Sequence, residues 1–122
     1  MTKQVTPCFE RYLEGIYLLQ QRNGVARTGD LAKFFGVVSG TITNTVTKLK
    51  NEGLVHHQPY VGVTLTEEGK HIALISLKKH ELLTKLFTNF LEIEQKLAYE
   101  VAFNIAGYFP ENVIKKIEEK IK

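Results

Sequence analysis

Apolar side chains recur at helical spacing through most of this chain and alternate with polar ones in a single short stretch near the middle. Phe9, Leu13, Ile16 and Tyr17 share one face of a helix predicted over Pro7–Arg22, and Gln20 continues that face. Pro7 suits the first turn, where its missing N–H costs nothing. A short helix is predicted to begin at Thr28, with the threonine hydroxyl as cap, Asp30 in the first turn, and Leu31, Phe34 and Phe35 buried. Gly36 supplies the positive φ that ends it, and Val37 and Val38 carry the turn. From Ser39 to Asn51 the apolar positions are Ile42, Val46 and Leu49, one inward stripe. After Gly53 the period drops to two. Leu54–His57 and Val61–Thr66 read as half-buried strands joined at Gln58, Pro59 and Tyr60.

The second half of the chain is helical again. Thr66 can cap a long helix, with Glu67 and Glu68 at its positive end; it carries Ile72, Ile75, Leu82, Leu83, Leu86, Phe87 and Phe90. That apolar band is broader than one small domain can cover, which implies a subunit interface. A further helix over Ile93–Ala106 places Leu97, Val101 and Ile105 at four-residue steps. Gly107–Pro110 is a turn, and Pro110 opens a last helix with Val113, Ile114, Ile117 and Ile121 inward. This order of elements predicts a mainly α fold: a winged helix-turn-helix with a two-stranded wing over residues 1–66, then a helical dimerisation region over residues 67–122.

The outer face of the Ser39–Asn51 helix is unusual. It carries Thr41, Thr43, Asn44, Thr45, Thr47, Lys48 and Lys50. Threonine is a mediocre helix former, so a cluster of it implies selection for something other than propensity. Short polar side chains near a helix N-terminus suit base edges and phosphates in a DNA major groove, whereas the plain alternative is a solvated face. Thr41, Thr43, Asn44 and Lys48 are the expected recognition face, with Asn44 the best candidate for an adenine edge. Ser39 and Gly40 serve the helix N-terminus, whose free N–H groups can meet a phosphate. Arg27 and Lys50 are expected at the backbone. The wing tip offers His56, His57, Gln58 and Tyr60 to a groove or to phosphates, though a bland surface hairpin explains any one of these as well.

Charge placement agrees with that reading. The 122 residues have a net charge of +3. All of it lies in residues 1–65, where Lys3, Arg11, Arg22, Arg27, Lys33, Lys48 and Lys50 face Glu10, Glu14, Asp30 and Glu52; the remainder balances to zero. Hydrophobic content of 43% supports a real core. No apolar run approaches the roughly 18 residues of a membrane span, and the N-terminus lacks a signal core, which predicts a cytoplasmic protein. The single cysteine, Cys8, excludes an intrachain disulfide and multi-cysteine metal sites; near a helix start it is either an idle thiol or a reactive one. His56 and His57 are adjacent on a strand and so cannot chelate one ion together, and His71 and His80 are too far apart on their helix. No phosphate loop, nucleophilic triad or paired carboxylate cleft is present, so an enzyme is the least favoured class.

Helix one (FERYLEGIYLL), the recognition helix (SGTITNTVTKLKNEGLV), the wing end (YVGVTLTEEG) and the following KKHELL match, in order and spacing, the metal-dependent repressors typified by the diphtheria toxin repressor and the manganese transport regulator (DtxR/MntR). Tyr60, Gly62, Leu65, Thr66 and Gly69 resemble that family's wing signature. The resemblance spans nearly the whole chain and implies a homodimer on operator double-stranded DNA. Larger members append a further domain that this chain does not reach.

The resemblance also implies a Mn²⁺ or Fe²⁺ site between helix one and the dimerisation helices, yet the ligand positions are depleted. Glu14 and His80 keep suitable side chains, Arg11 falls where the family has Asp or Met, and Ala102–Gly107 offers neither carboxylate nor imidazole. Two ligands do not hold a hard divalent ion against water. The expectation is therefore no metal cofactor at the usual site, unless one of Mn, Fe or Zn is held at a rebuilt one, with the Arg11 guanidinium taking the ion's place beside Glu14.

The resulting expectation is a sequence-specific transcriptional regulator, most simply a repressor, with DNA-binding residues Arg27, Ser39, Gly40, Thr41, Thr43, Asn44, Lys48, Lys50 and Tyr60. The alternative is a winged-helix protein-interaction module whose apolar C-terminal helices recruit a partner.

Overall fold

Thr6 starts the first helix, α1 (Pro7–Asn23): its hydroxyl accepts from the Phe9 N–H at 3.1 Å, and Pro7 fills the first turn. The computed structural model describes residues 5–121. Helices α2 (Thr28–Phe35) and α3 (Ser39–Asn51) follow, then strands β1 (Val55–Gln58) and β2 (Gly62–Leu65), and the long α4 (Glu67–Lys85). A π-helical turn (Leu86–Phe90), α5 (Gln95–Ile105), a 3₁₀ turn (Ala106–Tyr108) and α6 (Glu111–Ile121) complete the chain. The mainly α architecture with a two-stranded wing matches the sequence pattern.

Local chemistry sets most of the boundaries. Gly36 takes φ 66 at the end of α2, the left-handed conformation that a side chain would disfavour. Thr66 caps α4 by accepting from the Gly69 N–H at 3.0 Å, while its own hydroxyl donates to the Gly53 carbonyl at 2.8 Å. Gly69 has a second reason to lack a side chain, since a Cβ there would meet the Leu54 carbonyl oxygen at 2.0 Å. Thr28 does not cap α2. The cap position is Arg27, and no side chain there accepts from the helix, because Thr28 already lies inside the first turn.

β1 and β2 pair antiparallel with Val55 opposite Leu65 and Gln58 opposite Gly62. Two backbone hydrogen bonds between Ala26 and Val63, of 2.9 and 2.7 Å, fasten the wing to the segment that leads into α2. The position of the wing beside the helix-turn-helix is thus fixed by the backbone.

Two apolar clusters hold the elements. The first joins Leu13, Ile16, Leu31, Ile42, Val46, Leu49, Leu54 and Val63 under α1, α2, α3 and the wing, and Ala73 of α4 reaches into it. The second joins Leu82, Leu83, Ala102, Ala106 and Ile114. Phe34 departs from expectation: it is 39% exposed, and its ring meets Phe35 and Phe103 edge-on instead of entering the core. On α5 the buried face is Ala98 and Ala102, continued by Ala106 of the 3₁₀ turn, and the larger Leu97 and Val101 are exposed. Alanines let α5 lie close to α4, and the bulky stripe is left on the outside. Glu94 caps α5 by accepting from the N–H groups of Lys96 and Leu97, so this helix begins two residues later than its apolar spacing suggests.

Candidate nucleic-acid interface and the buried polar cluster

α3 presents two unlike faces. Ile42, Val46 and Leu49 are buried, whereas Ser39, Gly40, Thr41, Thr43, Asn44, Thr47, Lys48 and Lys50 are all exposed. With about 3.6 residues per turn, the ridge farthest from the core is Gly40, Asn44, Thr47 and Asn51. Asn44 therefore lies at the centre of the outer face, with Thr41 and Lys48 on one flank and Ser39, Thr43 and Lys50 on the other. Thr47 belongs to the same ridge. The 3.6-residue period places it there, although it lies outside the expected recognition face of Thr41, Thr43, Asn44 and Lys48. No side chain caps the N-terminus of α3, which leaves its first N–H groups open.

Beside this face, the wing tip is set in an unusual backbone state. Tyr60 takes φ 68 and its side chain is fully exposed. A tyrosine in the left-handed region carries strain that the surrounding turn must hold, the kind of outlier that gathers at functional sites. Arg27, Thr28, His57, Tyr60, Val61 and Gly62 line a cleft of about 240 Å³ between the wing and the start of α2. Arg27 and His57 both line it, and His57 is one of the wing residues offered by the sequence. The inward-and-outward alternation of β1 sends His56 to solvent and leaves His57 half-buried.

The second polar centre is interior. Glu14 and His80 are wholly buried, with His80 Nδ1 2.6 Å from Glu14 Oε2. The other Glu14 oxygen accepts from the Ser76 hydroxyl at 2.8 Å, and His80 Nε2 lies 3.0 Å from the Tyr99 carbonyl oxygen. A carbonyl only accepts, so Nε2 carries the hydrogen. One turn earlier on α1, buried Glu10 pairs with Lys79 at 3.3 Å. Burial raises the Glu10 pKa above its ordinary value, and the adjacent Lys79 ammonium pulls part of that shift back. The Tyr99 phenol is raised as well, first by desolvation and then by the charges of Glu14 and Glu81.

Arg11 does not pair with Glu14, contrary to the sequence-based expectation. Its Nη1 donates to Asn104 Oδ1 of α5 at 2.8 Å, and the guanidinium lies over the Tyr12 and Phe35 rings at 5.7 and 5.9 Å. Glu14 is wholly buried and bonded to Ser76 and His80, whereas the Arg11 guanidinium finds an acceptor on α5 and two aromatic faces. Arg11 Nε is shielded from solvent and has no acceptor among the described residues.

Glu14 and His80 do come together, as the resemblance implied, but the rest of the wall does not supply ligands. Ala102 and Ala106 are buried methyl groups, and Asn104 is committed to Arg11. Among the described residues no three His, Cys, Asp or Glu side chains converge as a metal cage. This donor set does not fit Mn²⁺ or Fe²⁺, which require several oxygen and imidazole ligands at once. Cys8 is exposed, and His71 is exposed on α4.

A helix-turn-helix with a pinned wing, an exposed polar recognition ridge and a trailing helical domain with an uncovered apolar stripe defines a DNA-binding transcriptional regulator rather than an enzyme. Two family profiles divide the chain between them: "Iron dependent repressor, N-terminal DNA binding domain" matches residues 4–63, and "Iron dependent repressor, metal binding and dimerisation domain" matches residues 66–122. The chain belongs to the iron-dependent repressor family. An uncharacterized HTH-type transcriptional regulator of Methanocaldococcus jannaschii is 33% identical over 117 residues, covering 93% of this chain and 94% of the relative. The HTH-type transcriptional regulator MntR of Bacillus subtilis is 30% identical over 117 residues, covering 96% and 82%.

Among solved structures, the T. acidophilum IdeR superposes with a TM-score of 0.82 at 23% identity over 98% of this chain and 55% of that one. A manganese-dependent transcriptional repressor in complex with manganese gives 0.81 at 26%, covering 93% and 52%. The chain thus spans about half the length of these two structures. No helix among the described residues is long and apolar enough to cross a membrane.

Proposed function

We propose that this chain is a cytoplasmic homodimeric repressor that reads operator DNA with α3 and the wing and is not switched by Mn²⁺ or Fe²⁺ at the family's usual site. Residues 1–66 form its DNA-binding domain and residues 67–122 its dimerisation domain. Asn44 reads a base, assisted by Thr41, Thr43 and Lys48. Arg27, Lys50, Tyr60 and the open N-terminus at Ser39 and Gly40 hold the phosphate backbone. The observation that supports the DNA reading best is the exposed Gly40–Asn44–Thr47 ridge flanked by Lys48 and Lys50.

Metal independence rests on the interior. The Arg11–Asn104 and Lys79–Glu10 contacts each join α1 to the dimerisation domain, one through α5 and the other through α4. Charged and polar side chains thereby hold the α1 face that an ion would otherwise organise. The test is selection of bound DNA from a genomic pool, followed by titration of the selected site with Mn²⁺, Fe²⁺, Zn²⁺ and EDTA. One sequence should be retained in every condition, with affinity falling as salt rises. A strong requirement for any of the ions would overturn metal independence, and retention without sequence preference would favour a protein-interaction module.

A further inference from the structure

Three of the four threonines of α3 spend their hydroxyl hydrogens on the helix itself. Thr43 Oγ1 donates to the Ser39 carbonyl at 3.1 Å, Thr45 Oγ1 to the Thr41 carbonyl at 2.9 Å, and Thr47 Oγ1 to the Thr43 carbonyl at 2.8 Å. Such bonds to the carbonyl four residues earlier are the usual refuge of a mid-helix threonine. Their consequence lies on the outer face. A hydroxyl whose only hydrogen is committed to the backbone no longer donates to guanine O6 or N7, nor to a phosphate. What remains outward is the γ-methyl group and an oxygen that only accepts.

Thr43 and Thr47, one turn apart, are exposed along the same flank of Asn44, while Thr45 is half-buried and turned toward the core. In a major groove, a methyl group finds its apolar counterpart in the C5-methyl of thymine, and an acceptor oxygen tolerates the amino group of adenine or cytosine. Guanine presents only acceptors there and meets nothing complementary. Lys48 and Lys50 carry charge on this face, but the central ridge between them carries none.

Resting on the reading of α3 as the recognition helix, we propose that Thr43 and Thr47 are specificity-determining residues that select thymines through methyl–methyl contact beside an adenine read by Asn44. The half-site is accordingly A·T-centred at the bases facing this ridge.

Two single-methyl deletions test this in combination. Duplexes recovered from a random pool by the full-length protein are remade with each thymine replaced in turn by deoxyuridine, which removes only the C5-methyl. Binding by wild type, Thr43→Ser, Thr47→Ser and Thr47→Val is then measured by fluorescence anisotropy at one salt concentration. Deoxyuridine at one or two half-site positions should weaken wild type roughly fourfold, the worth of one buried methyl group. Thr47→Ser should show the same loss on thymine and no further loss on deoxyuridine, because either deletion removes the same contact. Thr47→Val, which keeps a methyl and discards the hydroxyl, should retain the thymine preference.

A wild-type protein that selects one sequence yet tolerates deoxyuridine everywhere would overturn the methyl assignment and leave the DNA reading intact. Additive losses in Thr47→Ser and deoxyuridine would overturn it equally. Recovery of no preferred sequence by wild type would remove the DNA reading and the methyl assignment together.

Discussion

Asn44 and Lys50 occupy the same helix yet have different work to do. Asn44 is on the outermost ridge and its amide has no partner among the described residues, so it is free to meet the two edge groups of an adenine. Asn44→Ala should cost about 1–3 kcal/mol on the preferred operator and far less on unrelated DNA, flattening discrimination in a competition assay. Lys50→Ala should instead weaken every sequence alike and reduce the salt slope by about one. Equal loss of discrimination in both variants would sink the division of labour. The interior has its own residue-scale signature in Glu10. Because burial holds its pKa above the ordinary 4.5, its contribution to stability is complete below that pH and is lost as pH rises through the raised value. Lys79 limits the shift, so Lys79→Met should enlarge it. The variant's deficit in melting temperature should be small near pH 4 and grow toward pH 7; parallel pH profiles for variant and wild type would argue against this coupling.

The elements show which parts of this architecture the sequence discloses and which it hides. α3 and the wing were legible because their apolar periods are clean, and the start of α1, the end of α2 and the start of α4 because they carry Pro7, Gly36 and Thr66, residues whose backbone chemistry is local. The partner of Arg11 was not legible. It lies 93 residues away in Asn104, and the choice between Asn104 and Glu14 depends on how α4 and α5 pack against α1, which no local pattern discloses. The same holds for Phe34, which periodicity assigns to the core but which α5 meets through Phe103, at 5.9 Å between ring centroids. These long-range contacts make α5 a brace for α1 and α2. Arg11→Met and Asn104→Ala should each lower stability by about 1–2 kcal/mol, since each deletes one charge-assisted hydrogen bond. The double variant should be no worse than the more damaging single one, and operator affinity should fall in all three. Full additivity in chemical unfolding would show that the two side chains act apart.

Across the whole molecule, the covered and uncovered apolar surfaces account for each other. α5 buries Ala98 and Ala102 and exposes Leu97 and Val101, 51% and 40% accessible, at a four-residue step. Phe90 and Leu91, at 56% and 59%, add to the exposed apolar surface of the same domain. We expect the two-fold dimer to bury this stripe twice and so to set the distance between its two α3 helices. Spacing then matters as much as affinity: successive major grooves on one side of the duplex are about 34 Å apart, so a dimer reads two half-sites only if its core holds that separation. Val101→Glu places a charge in the stripe without touching the buried alanine face. It should shift sedimentation from dimer to monomer, leave the thermal transition of the fold nearly unchanged, and reduce binding to a two-half-site operator far more than binding to an isolated half-site. If Val101→Glu stayed dimeric, the subunit contact would lie elsewhere on the helical domain; if it lost half-site binding in equal measure, the stripe would be supporting the fold and not the pairing of the two reading heads.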